Sequence, residues 1–285
     1  MKIQKIIILL LSGLLNLTCA AQDRERMFYK DTLFEFNGSK IEITKSLSTE
    51  KYFKSVVTIS NQTDQFMIIN PWEVFGKVSG SDEKYNASSK KAIVVPPKYI
   101  KKFTVKFEGR DFREERLQYD FGKIEVTEKI ESVYELEDVD INKENYRAIG
   151  PIRWSMVKKM EPDHGKDDFQ IIAEIEYTGD KFLGIFYNNI ILTTKDGGKY
   201  INVGKKTGNF HYDKTKPFVK QTYLFPVEPA KAKKSNEPKL TFRDVFKEYS
   251  MATIVGFKVH LRAGTLEDYK GKAGKPDDKD IEEME

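Results

Sequence analysis

Two stretches of the chain alternate apolar and polar residues so regularly that an extended strand with one buried face is the element they dictate. In Phe53-Lys-Ser-Val-Val-Thr-Ile-Ser60, the residues Phe53, Ser55, Val57 and Ile59 share one face, and Val56, Thr58 and Ser60 share the other. In Gln170–Tyr177, Ile171, Ala173, Ile175 and Tyr177 fall on one side, with Gln170, Glu174 and Glu176 opposite. Shorter runs with turn formers between them read the same way. These are Phe66–Ile69, Glu73–Val78 before Ser79-Gly80-Ser81-Asp82, Phe103–Phe107 after Pro96-Pro97, Gly122–Val126, Gln221–Phe225 and Gly256–Leu261. Asn189–Thr194 and Lys199–Val203 flank Asp196-Gly197-Gly198, whose residues tolerate positive φ and so signal a hairpin. Aromatic residues make up 12% of the chain, with 19 Phe and 14 Tyr, and large rings suit half-buried pleated surfaces.

The order of these segments repeats. Ile171–Tyr177 is followed by Thr178-Gly179-Asp180-Lys181-Phe182, as the first strand is followed by Thr63-Asp64-Gln65-Phe66. Asp64 maps to Asp180 and Phe66 to Phe182, each by 180 − 64 = 182 − 66 = 116 residues. An internal duplication is therefore expected, and 285 residues accommodate two domains of ordinary size. The expected division is a first β-domain over 31–130, a linker or edge segment over 131–147 and a second β-domain over 148–264. The segment ESVYELEDVDINKEN (131–145) is acidic and poor in apolar periodicity, which places the joint there, with an edge strand around Val133–Leu136 as the alternative. Helix is confined to Phe242–Tyr249, where Phe242, Val245, Phe246 and Tyr249 fall at i, i+3, i+4 and i+7 behind a Thr241/Asp244 cap. A turn over Arg110–Arg116 is its counterpart in the first unit. The polar tail 265–285 is expected to be disordered.

The amino terminus assigns a compartment. Lys2 and Lys5 precede the apolar run Ile6–Leu15, which is far shorter than the roughly 20 residues a membrane span needs. Residues 1–21 fit a signal peptide. Cys19, the only cysteine, supports two readings. Cys19-Ala20-Ala21 forms a small-x-small cleavage site before Gln22, or Leu17-Thr18-Cys19 forms a loose bacterial lipobox in which Cys19 is lipidated, with Asn16 in place of the usual apolar residue. Either form lacks an intrachain disulfide, so packing alone must hold the fold.

Short strands with turns between them, in units of about a hundred residues, describe an all-β fold of two tandem antiparallel β-sandwiches with little helix. Here the chain resembles the immunoglobulin-like domains of bacterial cell-envelope proteins. The residues that carry the resemblance are VVTISNQTDQF, the VPP before KKFTVKF, IIAEIEYTGDKF and TTKDGGKYINV. The cysteine pair of antibody domains is absent. VTISNQTDQFMIINPW is also similar to the first domain of pilus-assembly chaperones, but Leu117–Ile124 lacks their long exposed apolar alternation. The resemblance implies a non-enzymatic exported protein that binds or scaffolds an envelope protein or glycan.

Candidate chemistry is sparse. His164, His211 and His260 are too far apart for a zinc site, and no metal or other cofactor is expected. Asp163–Asp168 concentrates acids in a loop without the EF-hand spacing. Glu174 and Glu176 could suggest glycoside hydrolysis, yet their alternation with Ile175 reads as the polar face of a strand. No nucleophile elbow or phosphate loop occurs. Lys plus Arg exceeds Asp plus Glu by only 48 − 44 = 4, an excess too small and too dispersed for the clustered basic face that nucleic acid needs, so nucleic acid is not an expected partner. Membrane contact is expected only through a lipid at Cys19. The candidate partner-binding residues are the aromatics Trp72, Phe186 and Tyr187, near strand ends in corresponding segments. Asn37, Asn61 and Asn86 stand in N-glycosylation sequons, and Asp31-Thr32-Leu33 matches a short bacterial O-glycosylation motif.

Overall fold

The computed structural model describes residues 26–160, 168–204, 209–211, 218–227, 238–269 and 281–282. The signal segment 1–21 with Cys19, residues 161–167 and most of the tail lie outside the described residues. Strands come first as β1 (Met27–Tyr29), β2 (Thr32–Phe36), β3 (Ser39–Ser48), β4 (Tyr52–Asn61), β5 (Met67–Ile69) and β6 (Val74–Val78). Next are β7 (Lys84–Asn86), β8 (Ile93–Val95), β9 (Ile100–Glu108), β10 (Arg116–Phe121) and β11 (Lys123–Asp140). The second half contributes β12 (Tyr146–Ile149), β13 (Ile152–Met160), β14 (Phe169–Tyr177), β15 (Phe182–Phe186), β16 (Ile190–Thr193) and β17 (Lys199–Ile201). It ends in β18 (Asn209–His211), β19 (Phe218–Phe225), β20 (Lys239–Val255), β21 (Lys258–Gly264), the helical turn α1 (Leu266–Tyr269) and β22 (Ile281–Glu282). The protein is all-β, and every described strand pairing given a register is antiparallel.

The chain forms two compact units, but not by cutting at 131–147. One unit takes the residues up to 125 together with those from 253 onward, and the other takes 126–252. The chain leaves the first unit inside β11 and re-enters it inside β20. Of the segment read as a linker or edge strand, the part up to Asp140 is strand, within the 18-residue β11, so the strand alternative around Val133–Leu136 is the one that forms. Glu131, Glu135, Glu137 and Asp138 lie on exposed positions, while Leu136 and Val139 reach the core of the second unit. So few inward apolar residues left only the stretch around Val133–Leu136 legible as strand.

In the first unit the strand order is β7-β6-β10-β21-β1-β3-β4-β9, with β2 added beside β3. An isolated bridge between Ala87 and Phe107 joins the two ends of that order, and this sheet is barrel-like. Eight strands leave room only for side chains inside, and aromatic rings fill it. Phe53 lies 4.9 Å from Tyr119 and 5.7 Å from Phe107, centroid to centroid, and Phe121 stacks on Phe257 at 4.4 Å. Each such buried ring contributes about 2 kcal/mol through area removed from water. Close approach fixes one glycine: a Cβ on Gly256 would stand 1.3 Å from the carbonyl oxygen of Phe121. Along β4, Phe53, Ser55, Val57 and Ile59 are buried, the face that their period of two requires.

The second unit packs β12-β13-β14-β19 against β17-β16-β20-β11 around one core. Trp154 from β13 meets Phe242 from β20 edge-on at 5.3 Å, and its indole N–H donates to the Tyr223 hydroxyl at 3.2 Å. Ile171, Ala173, Ile175 and Tyr177 of β14 are buried on the inward face.

Phe242–Tyr249 is strand, not helix. Phe242, Val245, Phe246 and Tyr249 are buried as that pattern demands, yet they belong to β20. Asp244 adopts φ 55°, which inserts a bulge and shifts the phase of burial by one residue. Before it Ile190 pairs with Phe242; after it Phe182 pairs with Tyr249. Two strand phases separated by a bulge imitate helical spacing. Over Arg110–Arg116 the backbone is irregular until β10 begins. The tail is ordered at its start, where Thr265 and Asp268 exchange side-chain and backbone hydrogen bonds in a capping box and Tyr269 packs on Phe28 at 5.1 Å.

The repeat extends to the elements. β4 and β14 end 177 − 61 = 116 residues apart, and the short 3₁₀ turns Pro71–Glu73 and Tyr187–Asn189 begin 187 − 71 = 116 apart.

Candidate binding surface

Where β3 turns into β4, Thr49 closes the hairpin: its N–H donates to the Tyr52 carbonyl at 2.8 Å, and its hydroxyl accepts from Lys51 N–H and Tyr52 N–H. The end of β9 runs alongside, held by the Gly109 N–H on the Lys51 carbonyl at 3.0 Å. Between them lies an open depression of about 640 Å³ lined by Glu50, Lys51, Tyr52, Lys106, Glu108, Gly109 and Arg110. Strand phase puts these side chains outside. Phe53 and Phe107 point inward, so Tyr52, Lys106 and Glu108 beside them point outward.

The Lys106 ammonium sits 5.2 Å from the centre of the Tyr52 ring and 2.6 Å from Glu108 Oε1. Lys54 lies directly opposite Lys106 across the β4–β9 pair, a like-charge juxtaposition that favours an anion nearby. Gly109 is required because a Cβ there would meet the Tyr85 ring at 2.1 Å. Tyr85 in turn packs on Phe112 at 4.6 Å and underpins this corner. An exposed ion pair is worth about 0–1 kcal/mol, so Glu108 yields Lys106 readily to a ligand. The arrangement offers a ring face, three cations and two carboxylates, which can hold a polar partner.

The aromatics expected to meet a partner separate by burial. Trp72, the second residue of its 3₁₀ turn, is 54% exposed. Phe186 is half-buried with the Lys247 ammonium 5.3 Å from its ring centre. Tyr187 is a correction: it is wholly buried beside Tyr223, ring centres 6.0 Å apart, and burial pushes its phenol well above the ordinary value. The turns explain the difference. Tyr187 occupies the first position of its turn, as buried Pro71 does in the other, and the exposed second position holds Asn188 where the first unit has Trp72. The spacing of 116 residues sets Pro71 against Tyr187 and Trp72 against Asn188, in agreement with these turns.

The remaining candidates do not converge. His260 is half-buried on β21, and among the described residues no group of three metal-ligating side chains gathers. The acidic loop before Asp168 and His164 fall outside the described residues, as does the side chain of His211. Glu176 pairs with Arg153 at 3.0 Å on the half-exposed face of β14, and Glu174 shares that face. Thr32 and Asn61, each within a modification motif, are buried.

One buried acid escaped the sequence reading. Glu248 of β20, 5% exposed, accepts from the Tyr177 hydroxyl at 2.5 Å and the Tyr134 hydroxyl at 2.9 Å. Burial and then the bond to Glu248 raise both phenols above their ordinary range. Lys181 and Glu131 form an ion pair close by. With a phenol on each oxygen, Glu248 ties β14 and β11 to β20 and is occupied as a hydrogen-bond acceptor.

No family model matches the chain, and no curated protein matches it. Among solved structures it is similar to the crystal structure of AerE from Microcystis aeruginosa at 10% identity, covering 84% of this chain and 99% of that one with a TM-score of 0.15. Likeness at that level carries no argument about fold or function.

Proposed function

We propose that the protein is an exported, non-enzymatic envelope protein whose two units are immunoglobulin-like and which binds a protein or glycan partner through the outer wall of its first unit. The open Tyr52–Lys106–Glu108 depression carries this reading, because it offers an aromatic face and easily displaced charges instead of an enclosed acid–base pair. The signal-like amino terminus supports export, and Cys19 supplies the alternative of a lipid anchor. Strand order supports the immunoglobulin-like assignment. β13-β14-β19 beside β17-β16-β20-β11 follows the order A-B-E and C′-C-F-G, with β11 as the last strand. In the first unit β3-β4-β9 and β7-β6-β10-β21 follow the same order, with β21 last. Each last strand comes from the other repeat.

The test is affinity capture from envelope extract with the mature chain, beside Tyr52→Ala and Lys106→Glu chains and with detergent partitioning of wild type against Cys19→Ala. The expected result is one partner in stoichiometric amount, lost from both surface variants. Equal capture by the variants, or substrate turnover by the purified chain alone, overturns the reading.

A further inference from the structure

Strand β9 pairs with β4 along its whole length, Ile100 opposite Ser60 and Glu108 opposite Tyr52. Among the described residues its other side is engaged only near its end, where Ala87 bridges Phe107 and the Ser88 N–H and hydroxyl both donate to the Lys106 carbonyl at 2.8 and 3.0 Å. In an antiparallel pair, successive residues turn their N–H and C=O to opposite sides. The Tyr99 carbonyl accepts from Asn61 N–H on the β4 side, and Lys106 faces away. Ile100, Lys102 and Thr104 share the parity of Lys106, so their backbone groups face away from β4 as well. No described residue bonds to them there. All three are exposed, Ile100 by 63%. β9 thus ends the order β2-β3-β4-β9 with a row of unmet donors and acceptors, and such a row is a template for another strand.

Charge selects what can fill it. Lys98, Lys101, Lys102 and Lys106 lie on or next to the strand, against Glu108 at its far end and Asp64, which pairs with Lys98 at 3.3 Å in solvent. A second copy of this edge would set lysine against lysine, and like charges directly opposite are destabilising. An acidic strand reverses that sign. Exposed Tyr99 and Ile100 add an apolar contact at the opening end.

We propose that the open edge of β9, Ile100–Thr104, receives an extended acidic segment of a partner protein as an added β-strand. This rests on the reading of the protein as a binding module and names the class of partner. Backbone pairing supplies the affinity and the lysine row supplies the selection.

The test uses the full mature chain and a fluorescein-labelled peptide of about ten residues alternating valine and glutamate, long enough for a typical strand, followed by fluorescence anisotropy. Thr104→Pro removes one outward N–H without touching the β4 ladder, a replacement that edge strands tolerate. Lys102→Glu reverses one charge. Each is expected to weaken binding about tenfold, the loss of roughly one or two hydrogen bonds or one close charge pair. A peptide N-methylated at alternate residues is expected not to bind the wild-type chain, which keeps the test decisive if Thr104→Pro perturbs folding. Absence of binding overturns the proposal. So does binding that tolerates both Thr104→Pro and N-methylation and vanishes only with salt, because that is charge attraction without strand addition. If the captured envelope partner is retained by Thr104→Pro, the binding-module reading stands and the β9 edge is excluded.

Discussion

Asn61 stands where three segments of the first unit meet. Its amide nitrogen donates to the carbonyls of Gln65 at 2.7 Å, Pro96 at 3.1 Å and Val95 at 3.3 Å, and its oxygen accepts from the Thr63 N–H at 3.0 Å and hydroxyl at 2.7 Å. In sequence the same residue begins a turn and a sequon, and nothing there reveals carbonyls more than thirty positions away. Asn61→Ala leaves those buried groups without a partner, so a loss of about 2–3 kcal/mol is expected in urea unfolding. The buried phenols give a second test at this scale. Burial pushes Tyr29 and Tyr249 up to about 12 and raises Tyr119 and Tyr223 further. Unfolded phenols ionise near pH 10, so above that value the unfolded chain releases protons that the folded chain keeps. The stabilisation is full below about pH 10 and falls through pH 12, by up to about 1.4 kcal/mol per pH unit for each phenol. Urea midpoints measured between pH 8 and 11.5 are expected to hold and then drop, with the buried phenols' share of the absorbance rise at 295 nm delayed until the chain unfolds.

At the scale of elements, strands were legible wherever one face is uniformly buried, as in β4 and β14. They were illegible where phase breaks or the apolar content thins. β20 shows the first failure, since its bulge at Asp244 rearranged strand residues into helical spacing. The geometry predicts the response to substitution. Asp244→Gly is expected to change stability by less than about 1 kcal/mol, because glycine adopts positive φ freely and the carboxylate of the lost Asp244–Lys247 pair is exposed. Asp244→Val is expected to cost about 1–2 kcal/mol in the same chemical denaturation, because a β-branched residue resists the left-handed region. β11 shows the second failure, where exposed Glu131, Glu135, Glu137 and Asp138 left linker and edge strand as alternatives. The candidate surface was half legible: the alternation that buries Phe53 and Phe107 already turns Tyr52, Lys106 and Glu108 outward. Their meeting depends on the pairing of β4 with β9, which sequence does not give.

At the scale of the molecule, the repeat of 116 residues is interleaved instead of tandem. β21 comes from the second repeat yet pairs with β10 and β1 of the first unit. Ending the chain after Val255 therefore removes a strand from the amino-terminal unit while leaving the residues of 126–252 in place. The two tryptophans report separately, Trp72 in the first unit and buried Trp154 in the second. The truncated chain is expected to keep the blue-shifted emission of Trp154 and to lose one of the calorimetric transitions, with rapid proteolysis confined to residues before 126. Loss of both signals together would show that the second unit requires the first.

Local pattern alone determined that this chain is strands, which faces of the best strands are buried, and that its segments recur at a fixed spacing. Those properties follow from the period of the backbone and the cost of leaving apolar faces in water, and both act over a few residues. Only tertiary structure decided that the sheet of the first unit is barrel-like, that strands cross between the units, that Tyr187 is core while Trp72 is surface, and that Glu248 is held by two phenols. Each of these depends on which strand lies beside which. That choice is made by the joint burial of residues a hundred or more positions apart, and no local periodicity encodes it.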